Sequence, residues 1–136
     1  MSAMGGKLPL TCYRKSMDVT IDFVAFDPEL DAWLLVLVEA GPWDDVTGRL
    51  VALQDRLYGC LEAALSGQIA ERFPEATDAK VVVRADCYDC YGTARDDVDA
   101  FVRRFSAGIG KMADYSPASS PWVRSFEIDV TYDQIH

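Results

Sequence analysis

A nearly continuous apolar run, AWLLVLVEA, occupies residues 32–40. Such a run is typical of a β-strand that is covered on both faces or lies in the middle of a sheet. It follows the stretch DVTIDFVAF at residues 18–26, which is rich in β-branched and aromatic residues, and the acidic stretch DPELD at residues 27–31. Proline and acids of this kind favour a turn over a continued strand. Together the three stretches predict a hairpin of two strands.

Helical periodicity begins beyond this hairpin. Apolar residues recur there at steps of three and four, which is typical of one buried helical stripe, and Asp44 or Asp45 would cap the helix. A second helix is predicted from Thr93, because TARD resembles a capping box with Asp96 in place of glutamate. The stripe residues are Val46, Leu50, Leu53, Leu57, Leu61 and Ala64 in the first helix and Val98, Phe101, Val102, Phe105 and Ile109 in the second.

Two further strands complete the pattern, KVVVRADCYD at residues 80–89 and WVRSFEIDVTYD at residues 122–133. The predicted order is β-β-α-β-α-β. We therefore expect an α+β fold, a two-layer sandwich in which an about four-stranded, largely antiparallel sheet carries two helices on one face. Residues 18–136 are predicted to form a single domain, and residues 1–17 a loose N-terminal arm.

The charge of the chain limits its partners. Its 136 residues carry 22 acids and 13 lysines or arginines, for a formal net charge of −9. Nucleic acid and anionic lipid are excluded as general partners, since phosphate contacts need clustered basic residues. A basic protein partner suits this charge, and solubility alone would also account for it. No stretch has the ~20 apolar residues of a membrane span. We expect a cytoplasmic protein.

The motif CYDCYG at residues 87–92 is the one feature that resembles a site of covalent chemistry. A C-x-x-C pair serves thiol-disulfide enzymes when it begins a helix, because the helix end lowers the thiol pKa. Here Cys87 continues a strand, and the neighbouring Asp86 and Asp89 would raise the pKa of a thiol. The pattern favours Cys87 as a small core residue, with a thiol redox enzyme that uses Cys87 and Cys90 as the alternative.

The remaining metal-ligating residues are scattered. Cys60 lies in the middle of the first predicted helix, Cys12 lies in the arm, and the only histidine is His136. A structural zinc site needs four converging ligands, so no metal and no cofactor are predicted. The single terminal histidine also argues against Ser-His or Cys-His catalysis. No catalytic residue is assigned.

The sheet face opposite the predicted core is the candidate binding site. Strand alternation places there a mixture of aromatic, basic and acidic side chains. A solvated face with cross-strand charge pairs is the simpler interpretation, and a protein-binding surface is the functional one. The candidate residues are Phe26, Arg84, Asp86, Tyr88, Glu127 and Asp129.

Six short features follow one another between Thr20 and Val130. They are an ID pair in the first strand, a Trp-Asp helix start, an LQ pair within the helix, an SGQ break, an FPEA loop and a valine-rich strand. Together they resemble a family of small bacterial domains of unknown function. The resemblance implies the same order of elements and a bacterial, cytoplasmic origin. It implies no activity and no catalytic residues.

These observations favour a non-catalytic protein-binding domain. An immunity-type protein that blocks a basic toxin is one specific version, because an acidic surface speeds association with a basic partner. The alternatives from other classes are the small thiol redox enzyme and a domain that binds a small ligand. A homo-oligomer is also left open.

Overall fold

A computed structural model describes residues 21–133, and the N-terminal arm predicted over residues 1–17 lies outside them. The order of elements agrees with the predicted one except for a short extra helix and two 3₁₀ turns. The elements are β1 Phe23–Asp27, β2 Ala32–Glu39, α1 Val46–Leu65, α2 Gln68–Arg72, β3 Ala79–Tyr88, α3 Gly92–Ile109, 3₁₀ turns at Ala113–Tyr115 and Pro117–Ser119, and β4 Val123–Asp133.

The four strands lie side by side in the order β1-β2-β3-β4. β1 and β2 are antiparallel, whereas β2 is parallel to β3 and β3 is parallel to β4. The sheet is therefore mixed, and the prediction of a largely antiparallel sheet is wrong. A long helix follows β2 and another follows β3, and each returns the chain to the starting end of the sheet, so that the next strand runs the same way.

The main core lies between the long helices and one face of the sheet. Leu57 and Leu61 of α1 and Val98 of α3 are fully buried there, against Leu35 and Val83 of the two central strands. Most residues of the two predicted stripes are thus buried, and Val46, Leu50 and Phe101 are partly buried. Gly67, between α1 and α2, has a positive φ of 90°, and an added Cβ would lie 2.8 Å from the Trp122 ring.

The other side of the sheet, which we call the open face, is turned away from α1 and α3. A smaller apolar cluster lies on this face. Among the described residues, its members all belong to strands. Its centre is formed by β2 and by Val82 of β3, with Phe23 at the side. The buried members are Ala32, Leu34, Val36 and Val82.

The prediction that Phe26 of β1 lies on the face opposite the core is wrong. Ile21 and Val24 are both buried in the main core, three residues apart, so regular alternation does not run through Asp22. The strand begins only at Phe23, and its register places Phe26 opposite Trp33, with the ring centroids 5.5 Å apart. Phe26 therefore packs against the main core and does not lie on the open face.

Candidate functional site

The other five predicted site residues do share the open face. Arg84, Asp86 and Tyr88 alternate along β3, and Glu127 and Asp129 alternate along β4. The register of the parallel pair sets Arg84 beside Asp129. The structure thus brings these five residues together on two neighbouring strands, without Phe26.

Asp86 is the centre of a local polar network. Arg84 donates two hydrogen bonds to its carboxylate, at 2.7 and 3.1 Å, and Thr131 Oγ1 donates a third at 2.8 Å. Hydrogen bonding to Asp86 raises the pKa of the Arg84 guanidinium. Asp86 is only 8% exposed, so its carboxylate is buried among its hydrogen-bond donors. It is a cross-strand anchor, which a partner would reach only by breaking this network.

Glu127 and Asp129 of β4 are exposed to solvent. Glu127 has one distant ion pair, with Lys80 at 3.7 Å, and such surface pairs stabilise a fold by little. Asp129 Oδ1 accepts a hydrogen bond from the backbone N–H of Val130 at 2.9 Å. These two acids, unlike Asp86, present their charge to the surroundings.

A second group of polar and aromatic residues lies where the parallel strands end. Because β2, β3 and β4 run in the same direction, the loops after β2 and β3 meet at one edge, the edge at which open α/β sheets bind their ligands. Trp43 Nε1 donates a hydrogen bond to the Tyr88 carbonyl oxygen at 2.8 Å and joins the two loops. We call this group the carboxyl-end surface; its residues are Trp43, Asp44, Asp89, Tyr91, Asp96 and Asp97.

Contacts within the fold define the two loops of the carboxyl-end surface. Arg49 of α1 donates hydrogen bonds to the carbonyl oxygens of Gly41 and Pro42, in the first of the two loops. The second loop turns sharply at Asp89, whose φ is 56°, a conformation that aspartate tolerates better than most residues. Arg49 thus ties the first loop to α1, and Asp89 sets the turn of the second.

Helix capping accounts for only one of the acidic pairs near this edge. Asp45 is the N-cap of α1 and accepts the Gly48 N–H at 3.1 Å, as predicted. α3, however, begins at Gly92 after Tyr91, without a side-chain cap, so the capping box predicted at Thr93 is wrong. Asp96 and Asp97 are its fifth and sixth residues. They lie beyond the first turn and are exposed, so capping does not explain them.

Among the described residues, three arginines at this end of the molecule have contacts within the fold. Arg49 binds loop carbonyls, and Arg56 donates hydrogen bonds to Asp22 and Glu39. The guanidinium of Arg95 lies 4.2 Å from the centroid of the Tyr132 ring. Arg49 and the exposed Arg95 keep their positive charge, but the acids of the carboxyl-end surface outnumber them. The exposed acids are Asp44, Asp89, Asp96 and Asp97.

The environment of the cysteines disfavours thiolate chemistry. Cys87 and Cys90 are buried and unpaired, as is Cys60. Burial, reinforced by neighbouring acidic groups, raises the pKa of Cys87 to about 12, and burial also raises the pKa of Cys90. An attacking thiol needs the opposite shift. Both pKa shifts therefore oppose the thiolate that the thiol redox alternative needs.

The described part of the chain has neither a metal-binding cluster nor a membrane-spanning helix. Within residues 21–133, no three His, Cys, Asp or Glu side chains are grouped so that they could hold a metal ion. Among the helices described, none has both the length and the apolar content needed to cross a membrane.

No family model, curated protein or solved structure matches this sequence. The resemblance to small bacterial domains of unknown function therefore stays a prediction. Sequence reasoning missed the carboxyl-end surface because it treated Asp44 and Asp96 as helix-capping residues. A signal was present, however. Strands alternating with long helices favour parallel pairs, and parallel strands gather their following loops at one edge.

Proposed function

We propose that this chain is a non-catalytic domain that binds a basic protein partner at the carboxyl-end surface. The observation that carries the proposal is the unequal placement of charge. At this edge the described acids outnumber the arginines Arg49 and Arg95, and they are exposed. These acids are Asp44, Asp89, Asp96 and Asp97. A surface of this kind attracts a basic partner and repels an acidic one.

Exposed aromatic groups support binding at the same place. Tyr91 is 54% exposed, and Trp43, in the other of the two loops, is partly exposed. Tyrosine and tryptophan are the residues that most often dominate binding energy when a partner covers them. Acids around an aromatic centre would supply attraction at long range and apolar contact at short range.

The fixed loops favour recognition without rearrangement. Trp43 is held by its bond to the Tyr88 carbonyl, and the first loop is held by Arg49. Ordering a loop on binding reduces affinity, so loops that are already ordered avoid that cost. An immunity-type inhibitor of a basic toxin is the specific version that we retain, because such a protein needs fast, preorganised binding.

A charge-reversal experiment tests this function. The immobilised protein is incubated with a lysate of the cells that encode it, and retained proteins are eluted with rising salt. We expect a basic protein to be retained by the wild type and lost by the triple variant Asp44→Lys, Asp96→Lys, Asp97→Lys. The matched control, Glu29→Lys, Glu71→Lys, Glu75→Lys, has the same net charge but leaves the carboxyl-end surface intact, so it should retain the partner.

Two results would contradict the proposal. Equal loss from both triple variants would show that only net charge matters, without a defined surface. Retention of no basic protein by the wild type, at low salt and at high protein concentration, would remove the function itself. Circular dichroism of each variant establishes that its fold is intact.

A further inference from the structure

The outer edge of β4 is a second surface suited to a partner. β4 is the last strand in the sheet order, and it spans Val123–Asp133. In the described part of the chain, no strand pairs with its outer side. The Val130 N–H donates to the side chain of its own neighbour, Asp129. A long edge of this kind is a template on which an extended segment can form another strand.

The core is also incompletely covered along this edge. On β3, the helix-facing side chains of Val81 and Val83 are 3% and 0% exposed. Their register partners on β4, Phe126 and Ile128, pack against the same core but remain partly exposed. An added strand would cover these side chains, as β4 covers those of β3, and would bury apolar surface.

A cavity adjoins the same residues. It has a volume of about 370 Å³ and lies between the end of α3, the 3₁₀ turns and β4. Ile109, Tyr115 and Pro117 line one side, and Phe126 and Ile128 line the other. One large apolar side chain from an added strand would enter this space, on the helix side of the sheet.

Charge decides which segment fits. Glu127 and Asp129 lie on the open face of β4, both exposed. If β4 paired with β4 of a second copy about a two-fold axis at Ile128, Glu127 of each copy would face Asp129 of the other. Like charges directly opposite one another destabilise a strand pair, so this edge disfavours self-association. Lysine or arginine on an added strand, opposite Glu127 and Asp129, would instead be attracted.

We propose that the outer edge of β4 binds an extended segment of a basic partner by strand addition. The segment alternates basic residues, which face Glu127 and Asp129, with large apolar residues, one of which enters the cavity. This inference rests on the proposed function, since it assumes a basic protein partner, and it adds the way in which that partner is held.

A synthetic peptide tests the inference without the natural partner. The probe is a seven-residue peptide that alternates lysine with valine and leucine. Its first control has the same composition with the lysines grouped together, and its second has glutamate in place of lysine. Binding is measured by fluorescence anisotropy, and amide hydrogen exchange locates the site. We expect the alternating lysine peptide to bind most tightly and to slow exchange at the outer-edge amide of Val130.

Two variants make the test specific. The double variant Glu127→Lys, Asp129→Lys should weaken binding of the lysine peptide by about tenfold or more. It should also make the glutamate peptide the better ligand. Val130→Pro removes the N–H that donates to the Asp129 side chain. A proline in an edge strand should abolish strand addition while the sheet persists. If the proline variant does not fold, the reversed peptide preference of the charge variant still tests strand addition.

Each contrary outcome is distinct. Equal binding of the grouped and alternating lysine peptides, or protection of amides elsewhere, would overturn strand addition while leaving a basic partner in place. Failure of all peptides would overturn it as well, whatever the capture experiment shows. Concentration-dependent dimerisation with protection of β4 would assign the edge to a second copy. The carboxyl-end triple variant should bind the alternating peptide normally, which separates the two proposals.

Discussion

Arg56 is held between two carboxylates at the boundary of the core. Its guanidinium pairs with Asp22 at 2.6 Å and with Glu39, and it also donates to the Val38 carbonyl at 3.1 Å. Burial alone would lower the pKa of Arg56, but hydrogen bonding to Asp22 and the charge of Glu39 raise it above its ordinary value. Glu39 is 3% exposed, so Arg56 takes the place of water as the partner of its carboxylate.

Removing the guanidinium should therefore be costly. We expect Arg56→Met to lower the free energy of unfolding by ~3–5 kcal/mol, because the buried Glu39 charge loses its counter-ion. The double variant Arg56→Met, Glu39→Gln should recover part of the loss. Urea denaturation followed by circular dichroism measures both. Equal stability of the single and double variants would show that Glu39 does not need Arg56.

The buried thiols make a prediction about alkaline pH. Burial raises the pKa of Cys60 and of Cys87 from 9.0 to about 12. Since the folded-state pKa exceeds the unfolded value, these groups stabilise the fold fully below pH 9 and lose that contribution between pH 9 and about 12. We expect unfolding free energies to fall across this range by up to ~1.4 kcal/mol per pH unit and thiol. Cys60→Ala should make the unfolding free energy depend less steeply on pH in this range. An unchanged slope would show that Cys60 does not cause the decline.

At the scale of the element, α1 illustrates how a buried stripe differs from its exposed flank. Leu57 is fully buried, whereas Val51 on the same helix is 59% exposed. We expect Leu57→Ala to destabilise the protein by ~2–5 kcal/mol through lost burial and a cavity. Val51→Ala is the matched control and should change stability by less than about 0.5 kcal/mol. Thermal unfolding of the pair measures the contrast, and similar losses would contradict the observed orientation of α1.

Elements were predictable where one local pattern determined them. The stripes of α1 and α3 and the cap at Asp45 follow from residues within a few positions of each other. Strand direction does not, because it depends on how a whole helix returns the chain, and the sheet proved to be mixed. The face of Phe26 was also missed, since Asp22 binds the Val38 N–H at 2.7 Å and interrupts the alternation before β1. The carboxyl-end surface depends on two parallel strands, so it could not be predicted from side-chain alternation along single strands.

At the scale of the whole molecule, the net charge of −9 acts together with its placement. Exposed charges act over ~8–10 Å at ordinary ionic strength, so their influence is felt during the approach of a partner. We expect the association rate with the captured basic partner to fall steeply as salt rises, while the dissociation rate changes little. Stopped-flow measurements separate the two rates. An association rate that salt does not alter would exclude steering by these acids.

Aromatic anchors should act on the other rate. Tyr91→Ala removes an exposed ring but no charge, so we expect faster dissociation with an unchanged association rate. Val51→Ala, which removes exposed apolar surface from α1, is the matched control and should alter neither rate. Surface plasmon resonance with the captured partner measures both variants. A slower association without faster dissociation would show that Tyr91 does not anchor the partner.

The contact between Gly67 and Trp122 bears on how this chain has diverged. A Cβ at position 67 would meet a rigid ring, and the positive φ there disfavours any side chain. The two positions should therefore change together during evolution, with a larger residue at 67 tolerated only where 122 carries a smaller one. Distant descendants of this sequence would keep a glycine after the first long helix and a tryptophan just before the last strand. Such a pair of positions would identify a common ancestor after overall sequence identity has been lost.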